Sequence, residues 1–191
     1  MADEVTRSAA KLATLVAVPL ALVVGVVVFL VLPGLLGGAE EPGESAGPPA
    51  PAATTPVATQ QRELTEREET VCRALLSQLP QEVRDRPQRP VTDGPEQNAA
   101  YGEPPITVEC GVPPAEVEPT DTVWPLDRVC YHASERRDAS VWVTLDREVP
   151  VRITVPDGYD GPGQWVAEFS ATMVSTVLSA DTEDIPTGCR S

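Results

Sequence analysis

The side chains in this chain with the potential for covalent or metal chemistry are few: Cys72, Cys110, Cys130, Cys189 and a single histidine, His132. Four cysteines could ligate zinc or form two bridges. Structural zinc sites draw on closely spaced Cys pairs or on further histidines. Only Cys130 and His132 are close here, so no metal is expected. An even cysteine count reads instead as two disulfides, in any of three connectivities. His132 and a serine would be a nucleophile and its base, but no Gly-x-Ser-x-Gly elbow is present, so a plain surface or hydrogen-bonded histidine is expected. No lysine follows Lys11, which rules out a Ser–Lys dyad or Schiff-base lysine beyond it. Gly158 to Gly163 precedes a helical pattern, as an anion cradle would. Asp157 and Asp160 would repel a phosphate there, and the order of glycines is not a dinucleotide fingerprint, so a turn is expected. Asp181 to Asp184 lacks the spacing of a calcium loop. No cofactor is expected.

Two further groups of residues could recognise a ligand. Arg84, Arg86 and Arg89 could touch an anionic wall polymer or a lipid headgroup, although a solvated loop explains them as well. Tyr101, Trp124, Tyr131 and Trp142 are the candidate recognition aromatics, and each sits where a core residue would also fit. Carboxylates are so numerous that finding two of them close together would mean little, yet a glycosidase-type pair remains an alternative.

These residues need elements to hold them. Thr65 to Glu68 matches a capping box, and Glu68, Val71-Cys72, Leu75-Leu76 and Leu79 recur at helical spacing until Pro80 stops the run. This predicts a helix with Cys72 on its buried face. Gln81 to Glu103 reads as a polar loop. Ile106, Val108 and Cys110 alternate with Thr107 and Glu109, a half-buried strand ended by Gly111. Thr122 to Trp124 and Arg128 to Tyr131 are weaker strands. Ser140 to Leu145 and Val149 to Val155 read as a β-hairpin, with Val141, Val143 and Leu145 on one face of its first strand. Trp165-Val166, Phe169, Met173 and Val177 predict a closing helix over Gln164 to Leu178. The polar tail from Ser179 would fray unless Cys189 pins it. The expected class is α+β: an antiparallel sheet with a C-terminal hairpin packed against two helices, preceded by a single transmembrane helix and a disordered linker.

The address comes from the N-terminus. Leu12 to Leu32 carries no charge, and its 21 residues would make ~32 Å of helix, enough for a bilayer core of about 30 Å. Arg7 and Lys11 precede the run and no basic residue follows until Arg62, so the N-terminus is expected in the cytoplasm and the rest outside. The run exceeds the apolar stretch of a cleaved signal peptide and reads as a signal anchor; the rival reading is a signal peptide cleaved at the small residues Gly37-Gly38-Ala39. Expected segments are a cytoplasmic tail (1–11), a transmembrane helix (12–36), a Pro/Ala-rich linker (37–62) and an extracytoplasmic disulfide-bonded domain (63–191). From Arg62 on, 12 Arg face 24 acidic residues, a net charge of −12. Nucleic acid is therefore not an expected partner. The expected function is a non-catalytic accessory or binding domain at the cell envelope, with an envelope protein or glycan as partner. The alternative is an envelope hydrolase using paired carboxylates on a wall polymer.

One pattern points further. Cys72-x-x-Leu75 followed by Leu79-Pro80, Tyr101-Gly102-Glu103-Pro104-Pro105-Ile106 running into Cys110-Gly111-Val112, and Arg147-Glu148-Val149-Pro150-Val151 through Val155-Pro156 resemble the actinobacterial membrane-anchored family called domain of unknown function 3515. The resemblance covers roughly Val71 to Leu178. Cys130 and Cys189 depart from its pattern, so it implies a family-type Cys72–Cys110 bridge and an additional Cys130–Cys189 one. It implies an anchored envelope domain and brings no reaction with it.

Overall fold

The computed structural model describes residues 54–118, 120–181, 183 and 185–189. The expected transmembrane helix and most of the expected linker lie outside these residues. Among the described residues no helix is long and apolar enough to cross a membrane.

Helix α1 (Glu66–Gln78) begins at the capping box: the Glu68 N–H donates to Thr65 Oγ1, and the Glu68 carboxylate accepts the Thr65 N–H at 2.8 Å. Its stripe Val71, Cys72 and Leu75 is buried, and the helix ends at Leu79 before Pro80. Eight strands follow: β1 (Glu82–Val83), β2 (Arg86–Arg89), β3 (Asn98–Tyr101), β4 (Ile106–Cys110), β5 (Val123–Leu126), β6 (Val129–Glu135), β7 (Ala139–Thr144) and β8 (Val151–Pro156). They form one antiparallel sheet in the order β1-β2-β3-β4-β8-β7-β6-β5. Helix α2 (Pro162–Thr176) then buries Trp165, Val166, Phe169 and Met173. This is the expected α+β class.

The core lies between the helices and one face of the sheet. Strand register puts Val108, Ile153 and Trp142 side by side on that face, with Tyr101, Ile106 and Tyr131 beside them, all buried. The Cys72–Cys110 disulfide ties α1 to β4, and Cys130–Cys189 ties the final turn to β6. Gly111, directly after β4, has φ +75°, and a Cβ there would sit 2.4 Å from Leu64, so only glycine fits the turn. The opposite face carries Thr107, Thr154 and the Arg152–Glu109 ion pair at 3.0 Å.

Two expectations are corrected and one is refined. Gln81 to Glu103 is not a loop but contains β1, β2 and β3. Arg-Pro-Gln-Arg and Asn-Ala-Ala-Tyr show no alternation, because β3 is buried on both faces and uses small residues to get there. In β7, Val141 and Val143 do share one face, but it is the face turned away from the helices. Ser140, Trp142 and Thr144 share the helix side with Ile153, so the large aromatic, not the valines, set the strand's orientation. Finally, residues 54–62, the described end of the expected linker, are bound to the domain rather than free. Val57 N–H donates to Pro90 O at 2.8 Å and Thr92 N–H to Val57 O at 2.9 Å, while Arg62 and Gln97 exchange hydrogen bonds.

Candidate functional site

The sheet ends at β5, a four-residue edge strand that tolerates Pro125 because only one neighbour pairs with it. Trp124 on this strand is 45 % exposed, unusual for so large an apolar ring. Its centroid lies 6.0 Å from that of Trp142 on β7, with the planes tilted by 60°. Trp142 is buried and its Nε1–H donates to Ser140 Oγ at 2.9 Å. Tyr131 meets Trp142 edge-on at 6.4 Å, so three rings step down from solvent to core. At the bottom, Tyr131 Oη shares a 2.9 Å hydrogen bond with Ser170 Oγ of α2.

The two tryptophans form one wall of a groove of about 700 Å³. Leu126, Asp121, His132 and Glu135 complete much of its lining, with the first turn of α2 opposite. That turn comes close because Gly163 lacks a side chain; a Cβ there would lie 3.3 Å from the Trp142 ring. The Gly158 to Gly163 segment is the expected turn, and it ends at Gly161, which opens α2 in a left-handed conformation (φ +62°). His132 lies within β6, with Nε2 3.5 Å from Asp121 Oδ2. The same carboxylate oxygen accepts the Glu118 N–H at 2.9 Å and so fixes the loop leading into β5.

The four candidate aromatics therefore divide. Tyr101 is fully buried against Phe169 and donates from its hydroxyl to Pro80 O at 2.9 Å, a structural role. Tyr131 is the buried foundation of the groove, and only Trp142 and Trp124 reach it. Burial, with no close charge to offset it, raises the Tyr101 phenol far above its ordinary value, and burial does the same to Tyr131.

Each member of the arginine cluster has a partner within the domain. Arg84 lies 4.8 Å over the Trp165 ring and bonds Glu168 at 2.9 Å; Arg86 lies 5.8 Å from the Tyr159 centroid and pairs with Asp85. Arg89 is buried, donating to Gly102 O and Thr55 O and paired with Glu103. A larger, more polar concavity of about 1030 Å³ lies beside the β7–β8 turn. Two of its charges are already paired, Glu148 with Arg67 and Arg147 with Asp146. No group of His, Cys, Asp and Glu among the described residues could hold a metal ion.

Reading the sequence missed Leu126, Asp121, Glu135 and Gly163. Leu126 lines the groove from β5, Glu135 from the end of β6 and Asp121 from the loop before β5, and no short motif carries that placement. No curated protein and no solved structure matches this chain. The model of one family, described as proteins of unknown function (DUF3515), matches residues 16–182, and the chain belongs to that family.

Proposed function

We propose that this chain is a single-pass membrane protein presenting a non-catalytic binding domain on the outer side of the cell envelope. The Trp124–Trp142 groove is its contact site. The uncharged run from Leu12 with Arg7 and Lys11 before it supports the anchor and its direction. The family match begins at residue 16, inside that run. Two disulfides fit an oxidising compartment.

The single observation that carries the binding role is Trp124. Its exposed ring leaves roughly 100 Å² of apolar surface in water, worth about 2–3 kcal/mol once covered. Beneath it Trp142 is immobilised by Ser140, Tyr131 and the α2 turn, so a ligand meets a preformed surface. The test is affinity capture from membrane-preserving envelope extracts with the full chain and its Trp124→Ala variant. A specific protein or glycan should be retained by the first and lost by the second; equal recovery by both removes the groove from the reading.

One observation favours the hydrolase alternative: Asp121 and Glu135 line the same groove. Both are exposed, and Asp121 is engaged by His132 and the Glu118 N–H. A glycosidase general acid instead sits in a desolvated pocket. Turnover of peptidoglycan or wall polysaccharide that disappears in Asp121→Asn or Glu135→Gln would establish the alternative.

A further inference from the structure

The groove resembles two smaller arrangements in the same domain, with one difference. Arg84 covers Trp165 and Arg86 covers Tyr159, each close enough for a cation–π contact. Among the described residues, neither ring of the Trp124–Trp142 pair has an arginine over it. Trp142 is buried, so the exposed Trp124 ring is the face on offer, and tryptophan is the strongest cation–π partner. Their edges ask for little: Trp142 Nε1–H is already donated to Ser140.

Charge points the same way. Asp121 and Glu135 line the groove, and no Arg or Lys does. The domain around it carries 24 acidic residues against 12 arginines. An anion would be repelled and a cation drawn in.

The third observation concerns shape. The pairing of β5 with β6 runs from Leu126↔Val129 to Val123↔His132, while β6 continues to Glu135. Ala133 and Glu135 line the groove beyond the last paired residue of β5. An extended chain can lie along such a short open edge. The groove, about 700 Å³, is also much larger than one guanidinium group.

We propose that the groove binds an extended basic segment of a partner polypeptide, its Arg or Lys side chain held between the exposed Trp124 ring and the Asp121 and Glu135 carboxylates. This rests on the groove being the contact site. The β6 edge supplies register, the aromatic corner supplies affinity, and the carboxylates exclude acidic segments.

The experiment uses the full chain in detergent micelles, titrated with a blocked valine–threonine–arginine–threonine–valine peptide and followed by tryptophan fluorescence. The comparison peptide carries citrulline in place of arginine, with nearly the same shape and no charge. The arginine peptide should bind roughly tenfold tighter than the citrulline one. Trp124→Ala should weaken the arginine peptide roughly tenfold. Glu135→Gln should weaken it several-fold and leave the citrulline peptide unchanged. Unaltered circular dichroism confirms that each variant is folded, and Trp124→Phe, which keeps an aromatic face, should restore most of the affinity. Equal binding of the two peptides overturns the proposal, as does no binding at millimolar peptide, or binding of choline without the arginine peptide. If N-acetylglucosamine oligomers bind in a Trp124-dependent way and the peptides do not, the cationic occupant is wrong while the groove stands. If envelope capture is indifferent to Trp124→Ala, the groove itself falls.

Discussion

Removing the two disulfides one at a time should give very different losses, although a simple loop-closure argument makes them equal. Cys72–Cys110 closes 38 residues and Cys130–Cys189 closes 59. The chain-entropy relation assigns about 3.9 and about 4.2 kcal/mol to these loops. That relation counts only the unfolded chain, and the folded states differ. Cys72 and Cys110 are fully buried, joining two elements that stay packed with or without the bond. Changing both to alanine should cost about 4 kcal/mol or more, since shrinking the side chains also leaves a void. Cys189 is half-buried in the last described turn (Thr187–Cys189), whose residues are otherwise largely exposed. Without the bond this tail is free to leave the native domain. Release of two or three residues returns about 1–2 kcal/mol each in backbone freedom, which offsets most of the unfolded chain's gain. Cys130→Ala/Cys189→Ala should therefore cost under about 2 kcal/mol. Urea unfolding of each double variant, followed by tryptophan fluorescence and far-ultraviolet circular dichroism, reads both losses. Equal losses, or a larger one for the tail bridge, would refute the reasoning.

Two other perturbations test the buried polar groups. Arg147→Met should cost about 3–5 kcal/mol, because it strands the buried Asp146 carboxylate and removes donors to Val177 O and Arg128 O; adding Asp146→Asn should recover part of that loss in urea unfolding. Tyr101 and Tyr131 have phenols raised by burial, so their neutral forms favour the folded state and its stability should fall as pH rises above about 10, the ordinary phenol value. In an ultraviolet titration two of the three tyrosines should form phenolate only as circular dichroism is lost, and early ionisation of all three in a folded domain would contradict their burial.

Local rules were legible where one residue type dictates one geometry. Thr65 and Glu68 announce a cap, Pro80 a stop, and the Ile106 to Cys110 alternation a half-buried strand, and all three hold. Legibility fails where burial is arranged from a distance. Asn98 opens a strand with polar and small residues because its side-chain amide donates to Gln60 O and Asp93 O, partners that composition does not advertise. The same reason hides the N-terminal extension: among its described residues Val57 is the one buried apolar anchor, and hydrogen bonds such as those to Pro90 and Thr92 hold the remainder. In β7 the alternation of valines points away from the core, since one Trp142 outweighs two valines in the area it buries.

The candidate site was half legible for a related reason. Four aromatics stand out by type, but exposure depends on what covers them, and that is a property of the sheet edge. Trp124 and Tyr131 are directly opposite in register, yet one is solvent-facing and the other sealed under α2. The difference arises because β5 is the last strand, short, interrupted by Pro125, and paired on one side only. Such a strand has little of its own to hold it. Pro125 lies opposite Cys130, and Cys130 is bonded to Cys189, whose turn contacts β5. The second bridge thus clamps the tail onto the strand that carries Trp124. A bond expected to add little to global stability would then act locally: it holds β5 in register with the rest of the sheet, so that the binding proposed for the groove would not have to order the strand first.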